Sequence, residues 1–246
     1  MVVFKKKFYL FQVTDTWFNH KFKFNDLYTF KVYSYVNKPI QHQFLYKKEI
    51  SHTLILSLLQ SNEDIFSGFR ATYKNEINKA VKRGVQTKFI NDIDLFVSLY
   101  NDFAQSKNIY PVRKKILENI GNNLQLSFAY FDNSPVAAHA YITDIDSGIT
   151  RLYLSGSQRF NNYIDKNLVG YANKLLMYDD MLHFKELNYK TFDFGGYALN
   201  TKNKSLQGIN DFKESFGGEI NVCDSYYTYL YYYLKRITEK LDKRYS

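Results

Sequence analysis

Three consecutive strand-like segments constrain the fold most, because only tight turns separate them. They read LQLSFAYFD, SPVAAHAYITD and ITRLYLSGS within residues 124–157. The connections, Asp132-Asn133-Ser134-Pro135 and Asp146-Ser147-Gly148, consist of residues that favour turns. Strands joined by such short connections pair antiparallel, since a parallel pair needs a long crossover. The sequence therefore predicts an antiparallel meander.

Helical patterns lie on both sides of this meander. One amphipathic helix opens at Asp92, and Pro111 is predicted to start a further short helix ended by Gly121. A long helix is predicted from about Ile164 to Leu187, because apolar residues recur at spacings of three and four. A strand at 191–194, a single helical turn and a final strand at about 221–231 follow. This order predicts an α/β fold.

An earlier helix, between Ser61 and Gly84, has a charged side and an apolar side. Ser61 and Asp64 resemble a capping box, and Gly84 lies where a glycine is expected just after the C-terminus of a helix. The apolar face is predicted to pack inward: Phe66, Phe69, Tyr73, Ile77 and Ala80. The opposite face carries the cations Arg70, Lys74, Lys79, Lys82 and Arg83. These cations are either a solvated face or contacts for substrate or RNA phosphate.

Residues 1–60 form a different region, with aromatic, strand-like segments between polar breaks. We divide the chain into a strand-rich N-terminal extension, 1–60, and a main domain, 61–246. The formal charge of +9 favours anionic partners, although an A/T-rich codon bias is an alternative source of the many lysines. One cysteine, Cys223, is compatible with a reducing compartment. With no apolar run of about 18 residues, we expect no membrane-spanning segment and a soluble, cytoplasmic protein.

Residues 191–219 are punctuated by glycines at the end of a predicted strand and around a helical turn. Gly195-Gly196 follow the strand, and Gly217-Gly218 follow the turn. Paired glycines permit a positive φ or a close approach of backbone to a ligand. The pattern predicts either a backbone-lined pocket or ordinary turns.

Three motifs in this order resemble the FemA/FemB/FemX-type peptidyltransferases and the GNAT-like acyltransferase superfamily. They are IxKAxKxGV at residues 77–85, FDFGG at 192–196 and GIxxFKxxFGGE at 208–219. The resemblance implies a GNAT-like fold, in which helices flank a mixed, largely antiparallel sheet. The sheet opens between two central strands, where the donor acyl group lies. The strand ending at Leu154-Ser155-Gly156 is then one side of the opening, and FDFGG is the other. In this resemblance, residues 1–60 are either a reduced second GNAT-like unit or an extension without a counterpart.

The resemblance also implies catalytic roles for residues near the glycines. Phe212 and Lys213 match a pair that lies beside the reacting ester, where the lysine cation offsets developing negative charge. The alternative is a surface lysine beside a core phenylalanine. Tyr197 is a candidate proton donor to the leaving group. Asp193 either orients a substrate amine or bonds the glycine turn. Acyl transfer of this kind needs no metal and no covalent nucleophile, and we expect no tightly bound cofactor.

Further residues are candidates for substrate binding. Lys82 and Arg83 are preferred for phosphate, with Arg70 and Lys74 as additional cations. Gly195 and Gly196 form a wall of the pocket. Tyr153 and Arg151 line the acceptor side, and core packing is the alternative for Tyr153. His139 lies in the middle of a strand, and a hydrogen-bonded structural histidine is the alternative to a role at the site.

The acyl donor is either aminoacyl-tRNA or acetyl- or acyl-CoA. Acetyl-CoA enzymes carry a Q/RxxGxG/A loop before the long helix; Gln158, Arg159 and Gly170 occur here, but with a different spacing. The predicted function is transfer of an acyl or aminoacyl group to an amine of a cell-envelope precursor, such as a peptidoglycan peptide or an amino sugar. The alternatives are a non-catalytic, basic nucleic-acid-binding module and a degenerate family member that only binds the precursor.

Overall fold

The computed structural model describes residues 1–19, 23–36, 40, 42–160 and 164–245, with side chains up to residue 238. The strands are β1 (Val2–Phe8), β2 (Phe11–Trp17), β3 (Lys31–Val36), β4 (Tyr46–Ser57), β5 (Gln86–Phe89), β6 (Leu124–Phe131), β7 (Ser134–Asp144), β8 (Ile149–Ser157), β9 (Thr191–Tyr197) and β10 (Glu219–Thr228). The helices are α1 (Asn62–Ser67), α2 (Ala71–Lys82), α3 (Ile93–Lys107), α4 (Lys114–Ile120), α5 (Lys166–Glu186), α6 (Lys204–Glu214) and α7 (Tyr229–Tyr245). In the described ranges, none of these helices is both long and apolar enough to cross a bilayer.

The chain forms two compact units. The first consists of Met1–Thr53 with Asn221–Ser246, and the second is Leu54–Ile220. In the first unit the strand order is β1-β2-β3-β10-β4, with β2 and β3 parallel and β3 and β10 antiparallel. The division predicted from the sequence at residue 60 did not include the C-terminal segment with the N-terminal strands. Backbone pairing between β3 and β10 is what brings those distant segments together.

In the second unit the strands follow the order β4-β9-β8-β7-β6-β5. The pairs β5/β6, β6/β7 and β7/β8 are antiparallel, which confirms the predicted meander of β6, β7 and β8. Strand β9 joins β8 in parallel, after the crossover through α5. The sheet is therefore mixed and largely antiparallel, as predicted.

Helices cover both faces of this sheet. Helices α2 and α5 pack together on one face, where Ile77, Leu175 and Phe192 are buried in one core. On the other face, Phe96 of α3 meets Phe128 of β6 at 6.5 Å between ring centroids. Ala129 belongs to the first core, and neighbouring strand residues point to opposite faces. The flanking helices confirm the predicted α/β class.

Several predicted boundaries were wrong. The helix predicted after Ser61 is two helices, because the chain turns between α1 and α2, where the Arg70 N–H donates to the Ser215 carbonyl at 2.9 Å. Helix α6 has 11 residues rather than a single turn, and α4 begins at Lys114 rather than at Pro111. The final strand ends at Thr228, and α7 follows it. The tyrosines at the start of α7 have high strand propensity, which concealed the helical spacing.

The residues that cap several of these helices are those predicted from the sequence. The Ser61 hydroxyl accepts the Asp64 N–H at 3.0 Å, and Asp92 caps α3 by accepting the Leu95 N–H at 2.9 Å. Gly84 and Gly121 both have positive φ beyond the ends of α2 and α4. These positions were predicted correctly because the capping interactions are local.

We expect Gly218→Ala to lower the free energy of unfolding by at least about 2 kcal/mol. Gly218 has a φ of +94°, and a Cβ there would lie 2.4 Å from the Ile55 carbonyl oxygen. The backbone must move to relieve this overlap. Gly208→Ala is the control: no atom lies within 4 Å of its added Cβ, and alanine favours the helix by about 1 kcal/mol. Denaturant unfolding of both variants checks the difference, and equal stabilities would contradict it.

Candidate active site

The pairing between β8 and β9 ends part-way along both strands. Its described pairs are Ile149–Thr191, Thr150–Phe192 and Arg151–Asp193. Beyond them, β8 continues to Ser157 and β9 to Tyr197. No described pair joins residues 152–157 to residues 194–197, and we call this unpaired region the β8–β9 opening. It lies between the two segments that the sequence indicated as its sides.

Gly195 marks the end of the pairing. Its φ is +81°, and its N–H donates to the Asp193 carboxylate at 2.8 Å. A Cβ at this position would lie 2.9 Å from the Leu152 carbonyl oxygen and 3.9 Å from the Lys213 ammonium nitrogen. Glycine is therefore required both by the backbone angle and by the close approach of β8.

Asp193 forms a buried ion pair across the last paired position. Its carboxylate contacts the Arg151 guanidinium, and the two residues are 6% and 2% exposed. The second carboxylate oxygen accepts the Gly195 N–H. This geometry corresponds to the alternative in which Asp193 bonds the glycine turn. Sequence reasoning placed Arg151 only near the acceptor side and missed the ion pair, although both residues lie on strands predicted to flank the opening.

Lys213 projects from α6 to the same glycines. Its ammonium nitrogen donates to the Gly196 carbonyl at 2.5 Å, and the residue is 8% exposed. One turn earlier on the helix, Asn210 bonds both the N–H and the carbonyl of Ala198, at 3.1 and 2.9 Å. Since residues three apart share a helix face, these bonds fix the side of α6 from which Lys213 extends.

The environment of Lys213 makes its ammonium easy to deprotonate. Burial, together with the smaller effect of the nearby Arg151, lowers its pKa to about 8, and Asp193 opposes the change. An ammonium has three N–H donors. Among the described residues, the Gly196 carbonyl is its one hydrogen-bond acceptor. Two donors of a nearly buried cation are thus left for another acceptor.

Phe212 and Tyr197 lie beside Lys213 with different partners. Phe212 packs against Tyr73 and Phe216, with ring centroids 5.9 and 5.3 Å away. The Tyr197 hydroxyl donates to the Glu214 carboxylate, and this hydrogen bond raises the pKa of Tyr197. Phe212 therefore contributes packing, while the Tyr197 proton is held by a carboxylate.

The cations of the predicted basic face lie near opposite ends of α2. The Arg70 N–H donates to the carbonyl of Ser215, the residue that follows α6, and the Lys74 ammonium donates to the Ser67 carbonyl at 3.1 Å. Lys82 and Arg83 lie at the other end of this 12-residue helix, about 18 Å away at 1.5 Å per residue. The structure thus does not bring the four cations together.

At that far end, the Arg83 guanidinium contacts the Asp165 carboxylate at 2.8 Å. This contact lowers the pKa of Asp165. Asp165 also caps α5 by accepting the Asn167 N–H at 2.9 Å. Arg83 is thereby tied to the start of α5, and the exposed Lys82 lies next to it in the chain.

His139 is fully buried and hydrogen-bonded through both ring nitrogens. Nδ1 contacts Asp180 at 2.6 Å, and Nε2 contacts Asn173 at 2.9 Å. The Tyr141 hydroxyl donates to the same Asp180 oxygen at 2.5 Å. These contacts fasten β7 to α5 and favour the structural alternative for His139. Tyr153 is half-buried on β8 at the opening.

The residues compared with a diphosphate-binding loop are distributed over two elements. Gln158 and Arg159 follow β8, whereas Gly170 lies inside α5. Asn161–Tyr163 lie outside the described residues. Gly170 therefore cannot supply a loop amide before the helix. Within the described part of the chain, no group of three or more His, Cys, Asp or Glu side chains is arranged to hold a metal ion.

Three solved structures share this fold. FemX has a TM-score of 0.65 at 11% identity, over 96% of this chain and 85% of FemX. The C-terminal domain of a proposed lysylphosphatidylglycerol synthetase from Agrobacterium fabrum has a TM-score of 0.60 at 10% identity, over 92% and 80%. L-PGS from Bacillus licheniformis has a TM-score of 0.60 at 12% identity, over the same shares. No protein-family model and no curated protein matches the chain.

The likeness to FemX agrees with the resemblance found in the sequence motifs. At these identities, however, structural likeness establishes the fold alone. The roles of individual residues must be argued from the geometry of this chain.

Proposed function

We propose that the protein is an acyltransferase whose reaction takes place in the β8–β9 opening. It moves an activated acyl or aminoacyl group to an amine of a cell-envelope precursor, such as a peptidoglycan peptide or an amino sugar. The observation that carries the proposal is the nearly buried Lys213 ammonium beside Gly195 and Gly196, with two donors unused by the described residues. A preorganised cation of this kind stabilises an oxyanion strongly, because little water screens it.

The reaction consists of attack by the acceptor amine and loss of the leaving group of the donor. The neutral acceptor amine attacks the acyl carbon, a C–N bond forms, and the carbonyl oxygen becomes an oxyanion that Lys213 stabilises. The C–O bond of a tRNA ester or the C–S bond of a thioester then breaks. Tyr197 is the candidate that gives its proton to the leaving group. The proton lost by the amine then replaces it on Tyr197. Lys213 acts as a cation in this scheme and does not form a covalent bond.

Arg151 and Asp193 support this site without contacting the substrate. Their ion pair and the Asp193 bond to Gly195 hold the backbone against which Lys213 rests. In this proposal Phe212 packs the base of the site and Tyr153 lines the acceptor side.

Two acyl donors are compatible with the proposal, aminoacyl-tRNA and acyl-CoA. The Phe212–Lys213 motif supports aminoacyl-tRNA, and the position of Gly170 inside α5 counts against the usual diphosphate loop. For either donor, we assign phosphate contacts to Lys82 and Arg83 at one end of α2, and to Arg70 and Lys74 at the other. Both donors are cytoplasmic molecules, so we assign the reaction to the cytoplasm. The motifs that resemble the FemA/FemB/FemX-type peptidyltransferases support an envelope precursor as acceptor.

The test is a transfer assay with labelled aminoacyl-tRNA or labelled acetyl-CoA and a panel of amine-bearing envelope precursors. Formation of a labelled amide that depends on the protein supports the proposal and identifies the donor. Failure of both donors, combined with salt-sensitive binding to random RNA, would instead identify a nucleic-acid-binding module. Binding of a precursor without turnover would identify a degenerate family member.

The pH dependence of kcat/KM should show a falling limb at about pH 8. Lys213 is required in its protonated form, and its pKa is about 8, so the active fraction decreases as pH rises through that value. At lower pH, activity should rise with pH as the acceptor amine loses its proton. A steady-state pH profile measures both limbs. Activity that keeps rising to pH 10 would contradict a cationic role for Lys213.

A further inference from the structure

Helix α7, in the first unit, has two apolar faces. One face is buried against the strands, where Tyr231 packs with Val13 and Val32. The other is exposed: Tyr229, Leu230, Tyr233 and Ile237 are 43%, 48%, 60% and 58% accessible. A helix on a protein surface usually has one apolar face and one polar face. The second apolar face of α7 therefore needs an explanation.

The exposed side chains form one continuous surface. Tyr229 and Tyr233 lie with ring centroids 6.3 Å apart, and the Tyr229 hydroxyl donates to the Phe44 carbonyl at 3.2 Å. Phe44 is itself 71% exposed. An open pocket of about 320 Å³ continues the surface and is lined by Tyr232, Tyr233, Arg236 and Ile237. We call these residues, with Phe44, Tyr229 and Leu230, the α7 surface.

Cations border this surface. The Lys47 ammonium and the Arg236 guanidinium lie 5.6 and 5.9 Å from the centroid of the same ring, Tyr232. The neighbouring Lys235 is instead paired with Glu49 at 3.3 Å. The surface thus combines exposed tyrosines and aliphatic groups with positive charge at its edge.

We propose that the α7 surface docks on an anionic lipid membrane. Tyrosine suits the boundary between water and lipid, because its ring is apolar and its hydroxyl is polar. Isoleucine and leucine on the same face enter the acyl boundary, while lysine and arginine contact anionic headgroups. The helix lies in the plane of the interface and does not span the bilayer. This inference does not depend on the acyltransferase proposal.

Vesicle sedimentation with the full chain tests the proposal that the α7 surface binds anionic lipid. We expect binding to vesicles of phosphatidylcholine with phosphatidylglycerol, and much weaker binding to vesicles of phosphatidylcholine alone. Arg236→Gln should weaken the binding about fivefold, equivalent to about 1 kcal/mol for one basic residue at such a surface. The double variant Tyr233→Ser/Ile237→Ser should weaken it by about tenfold or more. Unchanged thermal unfolding shows that the variants remain folded.

Matched controls lie in the second unit. Tyr110 is 88% exposed and Lys115 is an exposed lysine of α4, so Tyr110→Ser and Lys115→Gln remove the same kinds of group elsewhere. They should leave vesicle binding unchanged. Equal binding to both kinds of vesicle, or equal effects of control and α7 variants, would overturn the proposal. So would sedimentation showing a dimer that Tyr233→Ser dissociates, because the surface would then contact a second copy of the chain.

Discussion

Lys213→Met is expected to lower kcat/KM for acyl transfer by about 10²- to 10³-fold, the usual effect of removing one oxyanion donor. Methionine fills a similar volume but supplies no cation and no N–H group. Lys204→Met is a matched control on the same helix, because Lys204 is exposed at the first position of α6. Its replacement should leave activity unchanged. A loss of less than threefold for Lys213→Met would remove the lysine from the mechanism.

The same substitution should make the protein more stable near neutral pH. Burial lowers the pKa of Lys213 from 10.5 to about 8, so below pH 8 the folded state holds an ammonium at a free-energy cost. Each pKa unit corresponds to about 1.4 kcal/mol, and the lost bond to Gly196 offsets part of the gain. We expect the free energy of unfolding, measured by denaturant titration at pH 7, to rise by about 1–3 kcal/mol. A lysine retained for stability would give the opposite sign.

Arg151→Met should destabilise the protein strongly, by about 3–5 kcal/mol, because it leaves the Asp193 carboxylate buried without its cation. Adding Asp193→Asn to this variant should recover most of the loss. The asparagine oxygen can still accept the Gly195 N–H, while the buried charge is gone. Denaturant unfolding of the single and double variants measures both effects. A single variant within about 0.5 kcal/mol of the native protein would show that water reaches the pair.

Much of the second unit was predictable because its signals are local. Tight turns determined the meander, and the caps at Ser61 and Asp92 determined where two helices begin. The spacing of Ile77 and Ala80 indicated the buried face of α2. Each of these features depends on residues within a few positions of one another, so the sequence displays them directly.

The features that could not be predicted depend on contacts between residues that are distant in the sequence. Arg151 and Asp193 are 42 positions apart, and only the parallel pairing of β8 and β9 brings them together. The turn between α1 and α2 depends on a hydrogen bond from the Arg70 N–H to the carbonyl of Ser215, a residue distant in the sequence. In α7, tertiary packing of Tyr231 outweighs the strand propensity of the tyrosines.

The most direct test of the acyl-transfer site is a crystal structure with a stable donor analogue. An amide analogue of the aminoacyl end of tRNA and a ketone analogue of acyl-CoA cover the two donors. The measured quantity is the distance from the Lys213 ammonium nitrogen to the oxygen of the acyl carbonyl. The acyltransferase account predicts about 3 Å, with the carbonyl between β8 and β9. An analogue bound away from Gly195 and Gly196, with Lys213 still bonded to Gly196 alone, would contradict it.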